Sequence, residues 1–297
     1  MATGVSSDGT ERAALIGVAL MLCVAVLSAI DAVIVRQLSP GVHPFIIAFT
    51  RALFGCLVFL PYILAHPDIL TSNFRFLHVF RAALKLLSLI AFFIAFASAP
   101  LADVTAIAFT APIFVTIGAW FFLSEKPRAL RVFAVLVGFV GVVLVIRPLQ
   151  GGGISTGLAF ALVGALLTAV IQLILKPMSG RDRTETLVAW NLLVTVPIAI
   201  VPAAFVWATP TAVEWMLLSI QGVLGAINMA LVTRAFSLAE ASLLVPIDFL
   251  RLPIVAGLAF ALFGQTVPVT TWIGGSVIFA ATLLMARSAR NRRDREI

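Results

Sequence analysis

Charge is what this chain has least of. Only 11% of its 297 residues are Asp, Glu, Lys or Arg, against roughly a quarter in a water-soluble domain. So few charged groups cannot cover a surface that faces water. With 62% of the residues hydrophobic and a mean hydropathy of +1.14, the solvent of this chain is lipid. Cysteine is scarce too: Cys23 and Cys56 both fall inside apolar runs, which leaves no disulfide framework and no zinc site. His43, His66 and His78 lie at segment ends or links and have no metal-ligand spacing. The sequence holds no H-E-x-x-H, no G-x-S-x-G and no glycine-rich phosphate loop, so nothing in it supports an enzyme or direct coupling to ATP. No cofactor or metal is expected.

What is present is a series of apolar runs, each about the 20 residues that a helix needs to cross a bilayer. Ten qualify: 13–35, 43–65, 74–98, 102–123, 129–147, 154–176, 185–207, 214–236, 240–263 and 269–287. The links are short and carry breakers such as Pro40-Gly41, Glu125-Lys126-Pro127, Gly151-Gly152-Gly153 and Ser179-Gly180-Arg181. The first run has the length of a retained helix rather than a cleaved leader. The expected fold class is therefore an all-α integral membrane protein of ten transmembrane helices.

The net charge of +7 reports topology, not nucleic-acid binding, because the basic residues are spread over links and the tail. If both termini are cytoplasmic, fifteen of the twenty Lys and Arg fall on the inner side, five of them in the tail at Arg287, Arg290, Arg292, Arg293 and Arg295. Arg36 and Arg147 fall outside, and Arg51, Lys85 and Arg251 fall within segments. That asymmetry predicts a multi-pass membrane protein with both termini cytoplasmic. The five tryptophans sit near predicted segment ends, as an interfacial belt would have them.

The triple glycine divides the chain into residues 1–149 and 150–297, with five segments each. Five is odd, so the halves enter the membrane from opposite faces, which is the arrangement of inverted-repeat transporters. A weak echo supports this at a spacing of about 140 residues: Ile107 and Phe109 recur as Ile247 and Phe249, and Ala95-Phe96 recurs as Ala235-Phe236. Pro112 in the fourth segment has Pro246 and Pro253 as counterparts in the ninth, and these three prolines are the expected hinges.

Several motifs recur in the same order in both halves. The first half has Ala97-Ser98-Ala99-Pro100-Leu101-Ala102, Pro112, Leu123-Ser124-Glu125 and Gly138-x-x-Gly141 running to Arg147-Pro148. The second has Ala235 to Glu240, Pro246 and Pro253, Phe263-Gly264-Gln265 and Gly274-Gly275. In this the chain resembles the drug/metabolite transporter superfamily, and in particular its EamA-type ten-helix exporters. The family's Gly-Glu at the end of the fourth helix of each half reads Ser-Glu and Gly-Gln here. The resemblance implies a secondary transporter working by alternating access, with a small-molecule substrate. An exporter of amino acids or related metabolites is the first expectation. A passive pore, a carrier of nucleotide sugars, sugar phosphates or drugs, and an intramembrane enzyme are the alternatives. Besides its substrate, membrane lipids are the expected partners of a monomer, with a dimer left open.

Ionisable groups at membrane depth cost about 2.5–3.5 kcal/mol on insertion scales, so they face a cavity or a partner. Asp31 and Arg51 are placed either to pair between the first two helices or to snorkel to the outer headgroups. Lys85 lies near mid-depth in the third. Asp248 and Arg251, three residues apart in the ninth, share one helix face, where they either form an internal ion pair that locks the helix or offer a carboxylate and a guanidinium to a zwitterion. Thr105, Thr110, Gln172, Gln221, Asn228 and Ser242 complete the expected cavity lining.

Overall fold

The computed structural model describes residues 7–122, 129–148, 154–178, 181–239 and 241–293. The expected links at 123–128, 149–153, 179–180 and 240, with Ser124, Glu125, the triple glycine and Glu240, lie outside the described residues. Among the described residues the protein is all helical, with no strand. In chain order the helices are α1 (Ser7–Leu38), α2 (Pro44–Ala65), α3 (Arg75–Ser98), α4 (Leu101–Ala108), α5 (Ala111–Phe122) and α6 (Ala129–Ile146), then α7 (Thr156–Met178), α8 (Thr184–Phe205), α9 (Ala212–Leu238), α10 (Ala241–Asp248), α11 (Arg251–Phe263) and α12 (Val269–Arg293). A 3-10 turn, Pro67–Leu70, follows α2.

Among the described residues, nine stretches are long and apolar enough to cross a membrane, and a further, shorter apolar helix covers Val269–Met285. Two of the ten crossings are broken. α4 and α5 together make the span Leu101–Phe122, while α10 and α11 supply Pro246–Phe263. Ten crossings leave the start of α1 and the end of α12 on one face, here called the terminal face.

The two breaks have the same construction. Pro112 has no N–H to give, and its ring crowds the carbonyl four residues back, at Ala108, where α4 ends. Pro253 does the same to Phe249, one residue past the end of α10. At each break the chain tightens to an i−3 bond: Thr110 N–H reaches the Ile107 carbonyl at 2.9 Å, and Leu250 N–H reaches the Ile247 carbonyl at 3.0 Å. The Thr110 hydroxyl also donates to Ile107, at 2.7 Å, so the turn keeps its polar groups satisfied without water.

Packing partners are mirrored between the halves. α3 lies on α7 as α1 lies on α9; α2 meets α9 as α8 meets α3; α4 and α5 border α7 as α10 and α11 border α1. α6 packs along α12, and α2 packs on α8. The α6–α12 seam is close because glycines face it. A Cβ at Gly141 would stand 2.8 Å from the Gly274 carbonyl oxygen, and one at Gly274 would stand 2.7 Å from that of Gly141. Small residues let transmembrane backbones approach this way, where dispersion rather than the hydrophobic effect drives helix contact.

Candidate functional site

α1 and α2 each bring one charge to the interior, at Asp31 and Arg51. The Arg51 Nη1 donates to Asp31 Oδ1, and both side chains are about one-fifth exposed (19% each). The Arg51 guanidinium also lies over the Phe93 ring, 5.9 Å from its centre. Gly225 makes room for it, because a Cβ there would fall 2.9 Å from the guanidinium.

Below this pair, towards the terminal face, a cavity of about 400 Å³ opens between α2, α3, α8 and α9. Arg51, Lys85, Asn191, Thr195, Gly225 and Asn228 stand in its wall. Lys85 lies ten residues into α3, about 15 Å along the helix axis, which is near the middle of a bilayer. A second cavity, about 440 Å³, continues to the terminal face between α2, α8 and α9, and shares Met229 and Thr233 with the first.

Past Arg51 the space divides into two smaller chambers. One, about 200 Å³, is bounded by Ser28, Asp31, Phe92, Phe96, Thr105 and Arg251. The other, about 270 Å³, is bounded by Ser28, Phe109, Pro112, Phe236, Asp248 and Arg251. Asn228 borders both chambers and the Lys85 cavity, and its amide nitrogen donates to the Ser28 hydroxyl at 2.9 Å.

The helix breaks meet at this second chamber. Phe109 and Phe249, each in the turn of a broken span, stack with ring centres 3.9 Å apart and planes 17° from parallel. The Arg251 guanidinium lies 4.6 Å from the centre of the Phe109 ring, a cation–π contact that helps to hold a cation away from water. Asp248 and Arg251 are 3.9 Å apart and each about one-quarter exposed.

The face opposite the termini is bridged by polar contacts. Arg36, at the end of α1, donates to the carbonyls of Phe96 and Ala97, where α3 ends. Asp103 is 1% exposed and accepts from Arg147 Nη2 and from the Thr271 hydroxyl, each at 2.5 Å. Gln265 follows the left-handed Gly264 that closes α11, and its side-chain oxygen accepts from Leu101 N–H, the first of α4, at 3.1 Å. α1, α3, α4, α6, α11 and α12 are thus tied together on that face.

The terminal face is tied at a different place. Asp182 accepts from Ser72 at 2.8 Å and lies 2.9 Å from His78 Nε2; His78 stacks on Trp190, whose Nε1 donates to the Leu70 carbonyl at 3.1 Å. Arg81 is buried and donates to the Leu187 carbonyl at 2.5 Å. These contacts lash the α2–α3 link and the start of α3 to α8.

The structure brings most of the expected residues together, with exceptions. Lys85, Thr105, Asn228, Asp248, Arg251, Asp31, Arg51 and Pro112 line one connected set of chambers. Thr110 is buried and engaged with its own helix turn. Pro246 lies within α10 and Pro253 in the first turn of α11, so they flank the second break. Two assignments are corrected. Gln172 is exposed on α7 and is not among the residues that line these chambers. Gln221 is fully buried beside the cavity rather than in its wall, with neither amide atom hydrogen bonded. The Ser242 side chain lies outside the described residues. Sequence reasoning took Asp31 and Asp248 as the only acids at depth and so missed Asp103, which sits three residues after Pro100 in an otherwise apolar segment. It read Trp190 as a belt residue, whereas Trp190 underlies His78. Among the described residues, no three His, Cys, Asp or Glu are grouped to hold a metal.

Known proteins are similar to this chain over part or nearly all of its length. Residues 15–147 match the EamA-like transporter family. An S-adenosylmethionine uptake transporter of Rickettsia bellii is 29% identical over 95% of this chain and 97% of its own. A riboflavin transporter of Rhizobium johnstonii is 29% identical over 74% of this chain and 73% of its own. A pseudopaline exporter of Pseudomonas aeruginosa is 27% identical over 71% and 74%. A protein crystal structure shares the fold, with a TM-score of 0.62 at 18% identity, covering 95% of this chain and 98% of that one. These relatives are transporters rather than enzymes.

Proposed function

We propose that the chain is a transporter of the EamA-like kind, as its match over residues 15–147 and its similarity to transporters support, and that it carries a small polar metabolite through the chambers around Lys85, Arg51 and Arg251. The observation that carries this reading is the connected charged cavity at mid-depth, continuous with the terminal face and bridged over on the opposite one. A pore would need both ends open; a carrier exposes its site to one side at a time.

The solute class widens beyond the amino acids that the sequence suggested. The relatives take up S-adenosylmethionine, transport riboflavin and export pseudopaline, so they span both directions. S-adenosylmethionine and riboflavin are the first solutes to try. Residues 1–149 and 150–297 act as inverted repeats in this account, supported by the mirrored helix contacts and the twin breaks. The basic links favour the cytoplasm for the terminal face. Pro112, Pro246 and Pro253 flank the turns about which the broken spans would pivot.

Counterflow in proteoliposomes tests the carrier. Vesicles loaded with unlabelled S-adenosylmethionine or riboflavin should transiently concentrate the labelled solute above its outside level, with saturable initial rates. Flux that rises linearly with concentration and shows no counterflow would argue for a pore. No protein-dependent flux of either solute would defeat the reading.

A further inference from the structure

The charges around the cavity do not balance: among the described residues Arg81 has only the Leu187 carbonyl to bind, and Lys85 is left with no partner at all. Asp31 is taken up by Arg51, Asp248 lies beside Arg251, Asp182 is held by His78 and Ser72, and Asp103 by Arg147 and Thr271. Lys85 has no carboxylate and no hydrogen-bond acceptor among the described residues. The charged groups that act on it, Arg81 and Arg51, carry its own sign. Yet it stands in the wall of the 400 Å³ cavity at mid-depth, where an ammonium without a partner is costly.

We propose that Lys85 is the anion subsite of the cavity and that the transported solute carries a carboxylate or an equivalent anionic group to it. This rests on the carrier reading and narrows its substrate class. The rest of the solute has room along α3. Leu89, Phe92 and Phe96 follow Lys85 at helical spacing on the face that borders the adjoining chamber. Phe92 lies about 10 Å along the axis from Lys85, and Phe92 and Phe96 stack with ring centres 6.4 Å apart. An elongated solute with an anion at one end and a flat ring at the other fits that stripe.

Two pairs of compounds that differ by one anionic group make the test: S-adenosylmethionine against its decarboxylated form, and flavin mononucleotide against riboflavin. Apparent affinities are read from thermal stabilisation of the purified protein. In at least one pair the anionic member should bind at least about tenfold more tightly, as expected of a charge-assisted hydrogen bond. Lys85→Gln should erase that advantage and Lys85→Arg should keep most of it. Equal binding of both members to the unaltered protein, or an advantage that survives Lys85→Gln, would overturn the assignment. Those outcomes are separable from failure of the carrier reading. Counterflow of riboflavin or decarboxylated S-adenosylmethionine with no preference for the anion keeps the carrier and removes the subsite, whereas binding and flux of none of the four removes both.

Discussion

Asp103 brings a carboxylate into a helix that is otherwise apolar, and its environment answers it twice. Arg147, just past the end of α6, supplies a charge and Thr271 of α12 a hydroxyl. Removing one partner of a buried ion pair strands the other charge and costs about 3 kcal/mol or more, while losing the neutral hydroxyl costs about 1 kcal/mol. Asp103→Asn should therefore lower the melting temperature in detergent clearly more than Thr271→Val does. Equal effects would mean that Asp103 is held by shape and not by charge. Arg147 also has φ 51°, unusual for a residue with a side chain. The ion pair gives that conformation a reason, since it turns the guanidinium back over α4.

At the scale of elements, the helix breaks and the close seam between α6 and α12 have different origins. The breaks are written in proline, and the sequence located them to within a few residues from Pro112 and Pro253. Their consequence, the stacking of Phe109 on Phe249, was not legible. The two phenylalanines matched in the 140-residue echo, but an echo says that positions correspond, not that they touch. The seam was half legible, because Gly138-x-x-Gly141 signals close contact without naming the partner. Gly141→Val must push its side chain into the Gly274 carbonyl and Ile278, and overpacking of that kind costs about 1–3 kcal/mol. Gly257→Ala, with nothing within 4 Å of the added carbon, should leave the melting temperature nearly unchanged. Comparable losses from both variants would contradict the packing described here.

For the molecule as a whole, crossings were the easiest feature to read, because lipid demands about 20 apolar residues per helix and the chain supplies ten such runs. The candidate site was read in part. Charges at depth identified Asp31, Arg51, Lys85, Asp248 and Arg251 one by one, since each is expensive there. The neutral residues were harder, because an amide or hydroxyl costs little when its own helix satisfies it. Gln172 is exposed and Thr110 bonds to its own turn, and nothing in composition separates them from Asn228, which borders three chambers. The closures at the two faces were invisible for a related reason. Each joins residues far apart in sequence, as Leu101 and Gln265 are.

The central claim is a single path that opens to one face at a time, and Met229, which borders both the terminal-face cavity and the Lys85 cavity, is the place to test it. With Cys23 and Cys56 replaced by serine, Met229→Cys should react with a membrane-impermeant maleimide from the terminal face of oriented vesicles. In resting protein it should be protected from the opposite face, and a transported solute should make it reactive from there. Reaction from both faces at rest would contradict the account, and so would reaction from neither.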